Sequence, residues 1–271
     1  MRPTVPASRR RISDHFAAIA PRYRAVREFD RRAVARIVQY LRRWLDARSA
    51  PAILDVGAGT GRYTEAVVEQ LREHSFAPLH AAALDASHHM VVGASTRRAK
   101  TRSLHRVVGT AEDLPFGAGS FDAVLTFNAI HHFAINSFLQ AAARVLRSGG
   151  FLIAYTRTPE QNRRTVWGRL FPSFAERETR LFSLSQLRSA VNACGEFLEP
   201  VFETIPWWMP TSRSRLEEQA RARCYSTFQY YTPVELEIAI DTFLERITEA
   251  YDDPSQIVIR NDHLLLAVRR I

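Results

Sequence analysis

A doubly wound α/β fold around a mostly parallel, seven-stranded sheet is predicted for this 271-residue chain by three observations. Short apolar runs alternate with amphipathic stretches from residue 52 onward. The first run, Ala52–Val56, enters glycines at 57, 59 and 61 and then a helical pattern. The second run closes on an acidic residue, Asp85. Strands separated by helices imply parallel pairing through right-handed crossovers.

The elements follow in order. The first dozen residues, rich in proline and arginine, read as a loose arm. A helix is expected over Asp14–Arg24. A second begins at Asp30, whose carboxylate suits an N-cap, and it sets Val34, Ile37, Val38, Leu41, Trp44 and Leu45 on one stripe. Pro51 closes that stretch. Strand Ala52–Val56 leads to a helix from Arg62 to Glu73, strand Ala81–Leu84 to a helix over His89–Lys100, and strand Leu104–Val108 follows. Strand Phe121–Phe127 precedes a helix over Asn136–Leu146, and Gly149-Gly150 turns the chain into strand Phe151–Tyr155. Periodicity then fails over Thr156–Phe182. A helix over Ser185–Cys194, stopped by Gly195, leads to strand Phe197–Ile205. Pro206–Asp253 carries two helices, and Ile257–Val268 is the last strand. The expected organisation is therefore an N-terminal arm with helices (1–50), a ligand-binding core (51–156), two insertions (157–182 and 206–253) and the rest of the sheet (183–205 and 254–271).

Composition narrows the class. The formal charge is +9, and Lys100 is the single lysine, so arginine carries nearly all of the positive charge. Arginine suits bidentate recognition of phosphate or carboxylate, or simply a solvated surface. Only Arg9, Arg10 and Arg11 approach a basic cluster, which disfavours a nucleic-acid partner. No apolar run is long enough to cross a bilayer. No apolar segment follows the basic N-terminus, as a secretory signal would require, so a cytoplasmic location is expected. Cys194 and Cys224 are too few for a disulfide framework or a metal knuckle, and no metal is expected. A homo-oligomer is left open.

The segment Ile53-Leu54-Asp55-Val56-Gly57-Ala58-Gly59-Thr60-Gly61 carries the chemistry. A strand running through glycines into a helix lets backbone approach a ligand and offers unpaired N–H groups at the helix start. A tight turn with no ligand is the alternative. Asp85, at the end of the second strand, lies where an acidic side chain accepts both hydroxyls of an adenosine ribose. Dinucleotide enzymes share that feature. Their fingerprint, however, needs a small residue three places after the second glycine, where this chain has Arg62. A pyrophosphate reader is disfavoured.

These motifs resemble those of the class I S-adenosylmethionine-dependent methyltransferases, in particular the group related to the ubiquinone/menaquinone methyltransferases (methyltransferase type 11), whose sheet is Rossmann-like. The resemblance covers about residues 14–156 and the last strand. ILDVGAGTG is similar to the family's first motif, and LDAS around Asp85 to its second. GTAEDLPFGAGSFDAVLTFNAIHHF, residues 109–133, is similar to the third and fourth, and Leu146–Gly150 to the turn into the fifth strand. The resemblance implies S-adenosyl-L-methionine as cofactor and S-adenosyl-L-homocysteine as product. It implies that Gly57, Ala58 and Gly59 line the methionine part and that Asp55 orients its amino group. Asp85 would take the ribose, Met90 would pack beside the adenine, and Ala111 and Glu112 would lie along its edge. Asn128 would lie under the methionine moiety. One departure stands out: Thr110 occupies a position that is usually acidic. Tyr23, in FAAIAPRYRAVREFD, matches an aromatic residue of the family's N-terminal lid; a core tyrosine on an amphipathic helix is the other reading.

His131 and His132 follow the fourth strand. Methyl transfer is an in-line displacement in which positioning does much of the work. A base is needed when the acceptor is a hydroxyl or an unactivated carbon, and His131 is the candidate, ahead of His132. Asn128 is followed by Ala129 rather than by the Pro-Pro-aromatic run of amino-group DNA methyltransferases, and neither cysteine is placed as a pyrimidine C5 nucleophile. The expected acceptor is a small molecule, methylated on O, N or C, with an apolar body and an anionic group. Arg163, Arg164, Arg169, Arg177, Arg180, Arg213, Arg215, Arg221 and Arg223 in the insertions are the candidates to meet it, most of them facing water. Insertion aromatics such as Trp167 and Phe228 are expected mainly to form a small core of their own. RNA methylation, or a cofactor-binding protein without transfer, are the alternatives.

Overall fold

Ala52–Val56 forms strand β1 in the computed structural model, which describes residues 15–45, 50–74, 76, 78–93 and 104–271. Its four residues after Ala52 are all buried, as a central strand covered on both faces requires. Around it lie β2 (His80–Asp85), β3 (Leu104–Val108), β4 (Phe121–Phe127), β5 (Leu146–Thr156), β6 (Val201–Ile205) and, later in the chain, β9 (His263–Arg269). Among the described residues the sheet has seven strands in the order β3-β2-β1-β4-β5-β9-β6. The pairs from β3 to β5 are parallel, whereas β9 runs antiparallel to both β5 and β6. Strand order reverses between β1 and β4, and in an open α/β sheet ligands meet the strand carboxyl ends at such a point.

Alternation along each strand supplies two cores. Leu54, Val124, Leu152 and Leu266 belong to one, with Phe138 and Leu139 of helix α3 (Ile135–Val145) and Leu187 of α4 (Leu184–Cys194). Ile53, Leu125, Ile153 and Leu265 belong to the other, with Ile37 and Leu41 of α1 (Arg31–Trp44) and Val67 and Leu71 of α2 (Arg62–Glu73). Each fully buried aliphatic side chain contributes ~1.5–3 kcal/mol. The amphipathic stripe read for α1 is therefore the face that packs. Asp30 is its N-cap, accepting the Arg32 N–H at 2.9 Å.

The chain divides into two compact units. The sheet unit comprises Phe29–Thr158, Phe182–Ile205 and His263–Ile271. The second comprises the described residues through Glu28, with Pro159–Leu181 and Pro206–Asp262. Its core gathers Trp167, Phe171, Phe174, Phe228 and Phe243, so these insertion aromatics do form a core of their own. Around it lie the short helices Pro159–Arg164, Val166–Leu170 and Phe174–Arg177, then α5 (Arg213–Arg221) and α6 (Pro233–Ala250). Helix α6 starts with a capping box in which Thr232 and Glu235 bond each other's backbone.

Several boundaries differ from the sequence reading. Ile257–Val268 is two strands rather than one. β8 (Ile257–Arg260) pairs antiparallel with β7 (Trp208–Thr211) in the second unit, while β9 joins the large sheet. Asn261 and Asp262 separate them; the Asn261 N–H donates to the Trp207 carbonyl at 2.7 Å, and the Asp262 carboxylate accepts from the Trp207 N–H. Residues 254–262 thus belong with the second unit, and residues 29–45 with the sheet unit, rather than with the segments expected. β6 begins only at Val201, because Pro200 has no N–H for the ladder; Phe197 makes an isolated bridge to Arg270. The helix expected over Asp14–Arg24 is interrupted by a turn at residues 20–22, where Pro21 sits, and resumes over Tyr23–Val26. The one expected over His89–Lys100 is helical from His88 to Gly93; its remainder, like the N-terminal arm, lies outside the described residues.

Candidate functional site

β1 delivers the chain into the glycine loop. The Gly57 and Ala58 N–H groups both donate to the Leu84 carbonyl, at 2.8 and 3.0 Å, so the loop is tied to the end of β2. Gly57 has φ +71°, and a Cβ there would lie 2.5 Å from the Ala129 Cβ. Only glycine allows this approach of the loop to the segment after β4. Gly59 abuts Met90, where a Cβ would sit 3.1 Å from the Met90 Cε, and Met90 itself is buried.

Asp85 is built into the same loop. Its Oδ2 accepts the Gly59 N–H at 2.7 Å, and its Oδ1 the Ser87 N–H at 2.8 Å. Burial raises its pKa, and the two backbone donors pull against that rise. A carboxylate offers about four lone-pair sites, so both oxygens retain acceptor capacity.

Asp55 is different. It is fully buried; its Oδ2 accepts the Thr64 hydroxyl at 2.5 Å, while its Oδ1 has no hydrogen-bond partner among the described residues. Burial pushes its pKa up to about 7; the Thr64 hydroxyl opposes the rise and the charge of Asp85 adds to it. An unsatisfied buried acceptor costs ~1–3 kcal/mol, which marks Asp55 as a group prepared for a donor.

At the end of β4, Asn128 adopts a left-handed φ of +53°, and its N–H donates to the Tyr155 carbonyl at 2.7 Å. The 3₁₀ turn Ile130–His132 follows, with the half-buried His131 and His132 rings 4.1 Å apart. Ala111 is buried. The Glu112 carboxylate accepts the Ala134 N–H at 2.8 Å, at the entry to α3. The structure therefore brings Asp55, Gly57, Ala58, Gly59, Asp85 and Met90 around one loop. Tyr23 lies in the second unit, half-buried and edge-on to Phe16 at 6.3 Å.

The sequence reading missed a buried polar chain at the carboxyl ends of β4 and β5. The Tyr155 hydroxyl donates to Asp30 at 2.7 Å, and the Asp30 N–H donates to the Tyr63 hydroxyl at 3.1 Å. Tyr63 stacks on Phe127 at 4.5 Å, and His263 on Tyr155 at 4.5 Å. The Arg157 guanidinium reaches His263 Nε2 at 3.1 Å. Burial, with Tyr63 and Asp30 alongside, holds the Tyr155 hydroxyl well above its ordinary pKa, so it stays protonated. A tyrosine and a histidine inside otherwise apolar strands were the available signal.

Residues 54–154 match the protein family described as "Methyltransferase domain". The ubiquinone/menaquinone biosynthesis C-methyltransferase UbiE of Rhizobium meliloti is 34% identical over 155 residues, covering 52% of this chain and 56% of that protein. The chain spans about half the length of the curated relatives it matches. Among solved structures, the YcgJ protein of Bacillus subtilis superposes with a TM-score of 0.58 at 20% identity, over 89% of this chain and 98% of that one. The cyclase SpnF superposes with a TM-score of 0.58 at 18% identity, over 98% of this chain and 97% of that one. No helix among the described residues is long and apolar enough to cross a membrane. Residues 54–154 are thus similar to methyltransferase domains, and the seven-stranded sheet has the fold of solved structures described as methyltransferases.

Proposed function

We propose that the protein transfers the methyl group of S-adenosyl-L-methionine to a small-molecule acceptor and releases S-adenosyl-L-homocysteine. The observation that carries this reading is the pairing of Asp85, whose two oxygens are steered by the Gly59 and Ser87 N–H groups, with the partnerless Oδ1 of Asp55 beside it. That donor and acceptor set fits the cofactor. Asp85 accepts the ribose hydroxyls, and the ionised Asp55 attracts the methionine ammonium. Gly57, Ala58 and Gly59 let backbone lie against the methionine part, with Asn128 beneath it. Met90 and Ala111 cover the adenine, with Glu112 along its edge. When bound, the cofactor supplies a sulfonium methyl group open to in-line displacement, so the protein's main contribution is alignment. His131 accepts the acceptor's proton where the acceptor is a hydroxyl or an unactivated carbon. The arginine-rich second unit favours an acceptor with an apolar body and an anionic group over a nucleic acid, and a cytoplasmic site of action fits it.

The test is incubation of the pure protein with methyl-labelled cofactor and a metabolite extract, followed by mass spectrometry. A labelled small molecule, formed in step with S-adenosylhomocysteine, is the expected outcome; labelled RNA would replace the acceptor class. His131→Ala should then lower turnover ~10²–10⁴-fold with near-normal cofactor affinity. Unchanged turnover across the pH range would leave His131 a shape-giving residue. The likeness to a cyclase over nearly the whole chain favours one second reading, in which the cofactor is bound and the reaction leaves its methyl group in place. Substrate conversion without S-adenosylhomocysteine would identify it.

A further inference from the structure

The second unit contains a cavity of about 580 Å³ between residues 15–22 and 221–229. That volume is within the range of small-molecule sites. Its lining includes His15, Arg22, Arg221, Arg223 and Gln229, and among the described residues no carboxylate lines it. The three arginines are not equivalent. Arg221 is held by Glu217 at 3.0 Å and Glu237 at 2.7 Å, so its charge is already answered. Arg223 has no ion pair or side-chain hydrogen bond among the described residues, and neither does the exposed Arg22. Arg223 is half-buried and adopts φ +51°, a left-handed conformation that is strained for a side chain of its kind.

His15 gives the second, independent observation. Only 9% of it is exposed, and its buried Nε2 has no partner among the described residues. Burial, joined by the nearby charges of Arg180, Arg223 and Arg27, lowers its pKa to about 4. Of those three, Arg180 is paired with Glu178, and Arg27 lies over the Tyr225 ring at 3.9 Å. The cavity therefore combines uncompensated positive charge with a buried imidazole nitrogen. Leaving such groups unpaired is costly, and an oxyanion satisfies both at once.

We infer that this cavity binds the oxyanion group, carboxylate or phosphate, of a small organic ligand, with Arg223 as its principal cation and His15 and Arg22 beside it. The inference rests on the anionic-acceptor reading above and specifies which arginines recognise the anion. Arg223 grips the oxygens through its planar fork. Arg221, tied to two glutamates, contributes little.

The experiment is calorimetric titration of the cofactor-free protein with inorganic phosphate and, separately, with benzoate. Either should bind saturably; preference for the first assigns a phosphate ester, preference for the second a carboxylate. Arg223→Gly should weaken binding at least tenfold, and its backbone conformation suits glycine, so the variant should fold. Arg221→Gln should change affinity less than threefold. In the wild-type protein the His15 ring resonances should move on addition of the bound anion. Absence of saturable binding of either anion, equal affinity in Arg223→Gly, or unmoved His15 resonances would overturn the assignment. The methyl-transfer reading fails separately: anion binding that survives without any labelled product would sink that reading and leave the cavity's role standing.

Discussion

Two buried carboxylates, one in each unit, meet opposite fates. In the sheet unit, Asp55 has the Thr64 hydroxyl and the repulsion of Asp85, and burial pushes its pKa up to about 7. In the second unit, burial also acts to raise Glu178, but the Arg180 guanidinium and the Thr227 hydroxyl at 2.6 Å outweigh it and hold Glu178 below the usual range. Glu178 is a finished structural ion pair whose partners come from the same unit. Asp55 is an acid left short of a cation. The difference separates a carboxylate whose charge is answered inside the fold from one whose charge is not, and a sequence position alone does not distinguish them.

The largest effect that could break this contrast concerns Asp85. The ribose contacts proposed for it would be charge-assisted hydrogen bonds worth ~1.5–3 kcal/mol each. Asp85→Ala should weaken S-adenosylhomocysteine binding by ~10²–10⁴-fold while the protein remains folded. Calorimetry showing unchanged affinity would remove the ribose assignment and, with it, the reason for expecting a cation at Asp55.

Asp55→Asn tests the acid itself. A carboxyl whose folded pKa is raised contributes stability that is fully present below its unfolded pKa, near 3.9, and is lost as pH rises through about 7. The wild-type protein should therefore lose stability between pH 4 and pH 7. At pH 8 the asparagine variant should be more stable by as much as ~4 kcal/mol, with the gap closing near pH 4. Denaturant melts at the two pH values give the answer; a gap that does not depend on pH would mean that Asp55 is ordinary.

Glu178→Gln should do the reverse. Removing one partner of a buried pair costs about 3 kcal/mol at neutral pH. A depressed carboxylate contributes stability present above its unfolded pKa and lost as pH falls through the folded one. The variant's deficit should therefore shrink in acid, where the wild-type protein also loses the pair. A thermal-melt series from pH 7 downward that shows a constant deficit would contradict the assignment.

What could be read from the sequence was local. The glycine loop, Asp85 and Asn128 lie within a few residues of strand ends, where short motifs specify backbone geometry, and the structure places Asp85 and Met90 against the glycine loop. Asp30 was legible as a helix cap. Its second role, accepting the Tyr155 hydroxyl from a residue 125 positions away, was not, because only tertiary packing brings them together. The split between β8 and β9 was missed although Asn261, Asp262 and His263 interrupt the apolar run. Strand length was read from hydrophobicity, while polar residues that end a ladder on one sheet can begin one on another. The cationic cavity was visible only as a surplus of arginine. Which arginines stay uncompensated depends on where Glu217 and Glu237 fall in space.

The place of β9 bears on how the protein is made. β9 lies between β5 and β6, yet residues 157–262 separate it from β5 in the chain. During synthesis, β1 to β5 can pair as soon as they emerge, but β5 and β6 then keep bare edges until residues 263–269 follow. Exposed strand edges of this kind recruit other chains. A truncation before residue 263 would leave β5 with a bare edge and β6 without its partner strand, so this short segment is what closes that side of the sheet.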